Sequence, residues 1–200
     1  MAQTESTADS PPKFELRGGR FAPLTWERMS PAQQAMTHNV MAGKRGSMQG
    51  PYNVLLRSPQ IGNLAQQFGV HTRFESSLPL ALNELAILMV ARFWTSQFVW
   101  WAHRKMASEA GLAEHVIVAI AQGQPPALDG TAKALHGFCH ELLQNRRVSD
   151  ERYAALVQSV GEPGVVDLMA TMSYYTLVSM CLNVDQYPLP EGAVAELLPL

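Results

Sequence analysis

The stretch Glu84–Gly111, ELAILMVARFWTSQFVWWAHRKMASEAG, decides how the chain is read. Leu85, Ala86, Met89, Val90 and Phe93, preceded by Leu82, are apolar around most of a helix, which marks a central element rather than a surface one. Thr95 and Ser96 then either bend one long helix or cap a second. Val99, Ala102, His103 and Met106 carry a face onward to a stop at Gly111. Two polar groups stand out in this apolar setting, Glu84 and His103. Each is costly to bury unless it finds a partner, so each requires an explanation. A carboxylate beside an imidazole fixes its tautomer and favours the imidazolium, a proton donor near neutral pH.

Outward from this stretch the chain reads as helices separated by clear punctuation. Ser30-Pro31 caps a short helix ending before Gly43, and the glycine-rich, basic run 43–58 is a loop. Ser58-Pro59 opens a helix over 59–75, with Ile61, Leu64, Phe68 and His71 on one face. Pro79 starts the central helix. Beyond Gly111 the spacing predicts helices over 114–122 and 129–146, the latter with Arg146 and Arg147 at its C-terminal end. Ser149 caps a further helix that stops at Gly161, and Pro163 opens a last long one to about Asn183. Strand alternation is absent, so the fold class is all-α, with seven or eight helices. Residues 1–20 are rich in Ser, Thr, Pro and Gly and are expected to be flexible. A single domain then spans 21–200, its apolar C-terminal tail pinned on a surface.

Composition narrows the function. Fifteen basic against seventeen acidic residues give a net charge of −2, which provides no bulk field for nucleic acid or an anionic membrane. The uncharged run Leu168–Val184 carries too many hydroxyls and amides to face lipid. Cys139 and Cys181, far apart, suit small core residues in a reducing cytoplasm. His136 and His140 are four apart, a spacing that can hold a metal, but they lack the glutamate of the metalloprotease motif, and no metal is expected.

One ordered string of residues resembles a known family. Gly50-Pro51, Leu56-Arg57-Ser58-Pro59, Glu84, Trp100-x-x-His103 and Gly111-Leu112, within roughly residues 48–185, resemble the carboxymuconolactone decarboxylase family of the alkylhydroperoxidase D-like superfamily. The resemblance implies that superfamily's helical bundle and a homo-oligomer, a trimer or a hexamer. It also implies a cofactor-independent lyase in which Glu84 and His103 are the acid/base pair. Peroxidase-type members carry Cys-x-x-Cys where Ser96-Gln97-Phe98-Val99 stands here. A serine and a valine cannot cycle redox equivalents, so thiol peroxidase activity is not expected.

The expected substrate is a small unsaturated or aromatic-derived carboxylic acid or lactone. Its carboxylate requires a cation, and Arg57 is the first choice, ahead of Arg73 and Lys105. Tyr52 and Trp100 are expected to line the pocket, with Ser96 beside them. Of the two adjacent tryptophans, Trp100 lies three residues before His103 and is assigned to its side. Decarboxylation and isomerisation use the same acid/base groups, and a non-catalytic oligomeric scaffold is the alternative of another class.

Overall fold

The computed structural model describes residues 11–198, which form eight α-helices and one 3-10 turn, Trp26–Arg28, with no strand among the described residues. The helices are α1 Pro31–Ala42, α2 Tyr52–Leu55, α3 Pro59–Phe74, α4 Leu80–Phe93, α5 Gln97–Glu109, α6 Glu114–Ala121, α7 Gly130–Asn145 and α8 Asp150–Asp185. The expected all-α bundle of seven or eight helices is what the chain adopts. Its starts follow the sequence signals. Ser30 and Gln33 form a reciprocal capping box at α1, and the Ser149 side chain accepts from the Arg152 N–H at α8. The run 43–58 is not wholly loop, because α2 gives it one short turn of helix.

The central stretch is two helices. α4 ends at Phe93, and α5 restarts at Gln97 after Thr95 takes a left-handed conformation, φ 46°. A β-branched residue is strained there, yet the corner is tied by the Thr95 N–H on the Arg92 carbonyl and the Ser96 N–H on the Ala91 carbonyl. α8 is hydrogen-bonded as one element but breaks at Gly161, φ 70° and ψ 169°, just before Pro163. Only glycine reaches that conformation without strain. The stop and restart read at Gly161 and Pro163 are therefore the joint between two arms of one helix.

Packing falls into two clusters. The larger gathers α4, from Leu85 to Ala91, against Leu135, Phe138 and Cys139 of α7 and Leu168, Met172, Tyr175 and Val178 of α8. The smaller joins Met36, Val40, Met48, Tyr52, Leu55 and Leu56 with Leu16 and Met29. Buried Asn83 ties three helices together: it donates to the Thr72 carbonyl (2.9 Å) and accepts from Thr171 Oγ1 (2.8 Å). α8 is long and apolar enough to cross a membrane by length and composition, but half of its most apolar window is buried inside this fold.

α3 reverses a simple reading of its apolar face. Ile61, Leu64 and Phe68 point outward, Leu64 being 64 % exposed, while the small face of Gly62, Ala65 and Gly69 packs inward. A Cβ on Gly62 would meet Met36 and one on Gly69 would meet Tyr174 and Arg45, so close approach sets the buried side.

The ordered chain also reaches further toward the N-terminus than Phe21. Leu16 is buried, and the buried carboxylate of Asp185 accepts the N–H groups of Gly19 (3.2 Å) and Phe21 (2.7 Å). The rest of the segment expected to be flexible, residues 1–10, lies outside the described residues. At the other end, Leu197 exchanges two hydrogen bonds with the Gln97 side chain, and Glu196 meets Arg104 (2.8 Å) and Trp100 Nε1 (3.2 Å), which holds the tail on α5.

The Thr95 corner yields a stability test. Left-handed strain in a non-glycine residue is worth about 1–2 kcal/mol, and the backbone freedom of glycine returns part of it. Thr95→Gly is expected to stabilise the protein by roughly 0.5–1 kcal/mol in urea unfolding; a loss of stability would show that the threonine side chain makes up for its own strain.

Candidate active site

α4 delivers Glu84 and α5 delivers His103, and the corner at Thr95 folds the two helices together so that His103 Nδ1 lies 2.8 Å from Glu84 Oε2. Both side chains are buried, Glu84 to 1 % and His103 to 5 % relative exposure. A carboxylate at this distance fixes Nδ1 as the protonated nitrogen, which leaves Nε2 as the ring nitrogen available to a substrate. The ring is steadied by the edge of Tyr175, centroids 4.8 Å apart.

His103 forms part of the wall of a cavity of about 470 Å³, on the seam between the two packing clusters. The loop before α2 contributes Arg45, α2 contributes Tyr52, α3 contributes Arg73, α5 contributes Phe98, Trp101 and Lys105, and α8 contributes Tyr174 and Tyr175. Arg45 is half-buried, donates from Nη2 to the Tyr174 hydroxyl (2.9 Å) and lies 5.4 Å from the centroid of the Tyr174 ring and 5.8 Å from that of Tyr52. No carboxylate pairs with Arg45 or Arg73 among the described residues, so both cations remain uncompensated at the wall. Burial pushes the phenols of Tyr52, Tyr174 and Tyr175 above the ordinary range despite the opposing Arg45 charge, and they stay protonated. The Tyr175 hydroxyl is sealed from solvent and has no hydrogen-bond partner among the described residues, while the Tyr52 hydroxyl faces that of Tyr174.

Of the residues assigned from sequence, Glu84, His103 and Tyr52 come together here, and Arg73 and Lys105, placed behind Arg57 as candidate cations, also line the cavity. Three others go elsewhere. Arg57 is exposed, donates to the Ala22 carbonyl and lies over Phe21, so it clips the N-terminal segment rather than facing His103. Trp100 is buried in the larger cluster with Nε1 on Glu196, and Trp101 lines the cavity in its place. The exposed arc of α5 runs from Trp101 through Phe98 and Ala102 to His103, and Trp100 falls one step past its edge. Ser96 is buried at the start of α5 with its hydroxyl unpartnered, outside this cavity.

Arg45 is the residue that sequence reasoning missed, because it sits in a glycine-rich loop without periodicity. Its one signal was Gly69, a glycine inside α3 that leaves room for the Arg45 guanidinium and the Tyr174 ring. Cys139 is fully buried, with its thiol pushed up by burial, and neither it nor Cys181 lines the cavity. His136 and His140 stack 6.0 Å apart on α7, and no cluster of three metal-ligating His, Cys, Asp or Glu side chains occurs among the described residues.

A scan against models of known protein families finds no match to the chain, and a search of curated proteins finds none either.

The phenols provide a pH test. Burial also raises Tyr187, so four of the five tyrosines hold their protons more tightly folded than unfolded. Their contribution to stability is intact below the unfolded value of about 10 and is lost as pH climbs past it. Phenolate absorbance is expected to lag by four groups in the native protein relative to the urea-unfolded chain, with stability falling over the same range. Five phenols titrating together in both states would contradict the packing described.

Proposed function

We propose that the chain is a lyase of the carboxymuconolactone decarboxylase type, working through its own side chains on a small unsaturated or aromatic-derived carboxylic acid or lactone. The observation that carries the reading is the Glu84–His103 contact in the wall of a cavity that also holds two uncompensated arginines. A pair that merely joined two helices would have no need of an opening, and this one has an opening of ligand size.

In this reading the substrate carboxylate is drawn to Arg45 and Arg73, which take the role first given to Arg57. Tyr52 and Tyr175, their hydroxyls sealed from solvent, wall the cavity, and Trp101 and Phe98 flank the unsaturated body of the substrate. The bond between the substrate carbon and its carboxylate breaks. CO2 leaves, and the electron pair stays on the carbon, delocalised into the conjugated carbonyl as an enolate. His103, as the imidazolium, passes its Nε2 proton to that carbon while Nδ1–H remains on Glu84, and solvent then restores the proton. The same groups would move a proton without loss of CO2, so isomerisation is the nearest related reaction.

Self-association belongs to the same proposal. The outward stripe of Ile61, Leu64 and Phe68 on α3, and that of Val166, Met169, Met180 and Val184 on α8, leave large side chains uncovered. A trimer or hexamer would cover them. This exposure is also what a scaffold would display, and light scattering is expected to give three or six times the chain mass of 22.0 kDa; a monomer would remove the oligomer from the proposal.

The chemistry is tested with unsaturated lactone acids and aromatic acids in deuterated solvent. Release of CO2 with gain of one deuterium is expected, abolished in His103→Ala with helical circular dichroism retained, and unaffected in Cys139→Ala with Cys181→Ala. Turnover by His103→Ala would take His103 out of the mechanism, and loss of turnover in the folded double cysteine variant would return thiols to it.

A further inference from the structure

A second cavity, of about 500 Å³, opens on another side of α4. Its walls are the last turn of α4, the end of α6 with the turn Gly123–Pro125, α7, and the first arm of α8; it shares no lining residue with the His103 cavity. Much of the lining is apolar, with Met89, Phe93, Ile120 and Leu143. Arg92 also lines it, and only 6 % of that residue is exposed. Its Nε and Nη1 are sealed from solvent and make no hydrogen bond, and no carboxylate lies within ion-pair distance of it among the described residues.

The other charged groups at the cavity do not answer Arg92. Glu141 accepts from the Ser149 N–H (2.8 Å) and hydroxyl (3.0 Å) and faces Arg152 Nε at 3.6 Å, so its charge is already engaged. Two arginines against one glutamate leave the cavity one positive charge in excess. The stacked imidazoles of His136 and His140 add ring nitrogens but no negative charge. A buried lysine could relieve such a position by releasing its proton, whereas a guanidinium does not. The compensation has to come from a counter-ion.

We infer that this cavity binds a small organic monoanion, a carboxylate on an apolar body, whose charge answers Arg92 and whose body packs on Met89, Phe93, Ile120 and Leu143. A single excess charge matches a monoanion, and walls rich in carbon suit an apolar body better than a hydrated inorganic ion. The site is independent of the Glu84–His103 chemistry and stands whether or not that chemistry is as proposed.

The test titrates the full chain with benzoate and, separately, with inorganic phosphate, followed by thermal unfolding and by nuclear Overhauser effects from the ligand ring. Benzoate is expected to raise Tm saturably and to show effects to the Met89 methyl and the Phe93 ring. The contacts to Met89 and Phe93 should vanish in Arg92→Met, whatever Tm shift the Arg45 cavity adds, and persist in Arg45→Met. Should Arg92→Met not fold, Leu143→Trp fills the cavity without touching the arginine and must also remove the ring contacts. Benzoate contacts confined to the Tyr52 and His103 side, binding unchanged in Arg92→Met, a response to phosphate alone, or no response to either probe each overturns the inference. So does a fall in oligomeric mass in Arg92→Met without benzoate binding, because Arg92 would then be answered by a carboxylate of a second copy.

Discussion

The contact between Glu84 and His103 is the constraint on which the rest of the arrangement depends. Two groups this polar, buried to a few per cent exposure, are tolerable only in each other's company. Removing one partner of such a pair costs about 3–5 kcal/mol in typical cases, a large share of a domain's stability. The consequence reaches well beyond the site. α4 and α5 must turn back on one another within three residues, which explains why a threonine is held left-handed between them rather than relaxing into a longer helix. Strain at the corner and satisfaction at the pair are two sides of one local solution.

Around that pair the cavity combines cations with neutral donors. Arg45 is kept in place by the hydroxyl and the ring faces of tyrosines, not by a carboxylate, so its charge is not cancelled before a ligand arrives. The phenols remain protonated because burial opposes their ionisation more strongly than Arg45 favours it. The cavity wall therefore keeps positive charge that no carboxylate of the described residues cancels. Its position on the seam between two packing clusters allows a loop residue to face residues of α5 and α8, far away in sequence.

How much of this was legible in the sequence depends on whether the governing interaction is local. Helix starts at Ser30-Pro31, Ser58-Pro59 and Ser149, and the joint at Gly161 with Pro163, are written in caps and breakers that act over a few residues, and they were readable. That Glu84 and His103 each need a partner was readable because an apolar setting leaves a polar group few alternatives; that they meet each other depends on the Thr95 corner, which sequence left open. The cations of the cavity were readable only in part: Arg73 and Lys105, placed behind Arg57, line it, and Arg45 was missed. Arg57 and Arg45 are equally plausible as a string of letters, and what separates them is tertiary: Arg57 is taken by the Ala22 carbonyl, while Arg45 is drawn in where Gly69 thins α3. The tryptophans show the same limit. Spacing put Trp100 near His103, correctly in angle, but not which side of that angle opens onto the cavity and which is closed by the C-terminal tail at Glu196. The outward stripe of α3 is a third case, where small residues and not large ones mark the buried face.

α4 holds the partner of His103 near its start and a wall residue of the second cavity near its end. From Asn83 to Arg92 every residue is buried, and in that run two side chains carry formal charge, Glu84 near the start and Arg92 near the end. The physical cost of burying each is of the same kind. Glu84 is answered within the chain by His103, and the answer creates a site. Arg92 is given apolar walls, a pair of stacked imidazoles and a glutamate already engaged by Ser149 and Arg152. A helix this apolar could have carried a leucine at position 92 with better packing and no desolvation cost, since replacing a buried ion by a well-packed apolar group is often neutral or favourable. Arg92 has no counter-charge among the described residues, and the inferred monoanion is what would answer it.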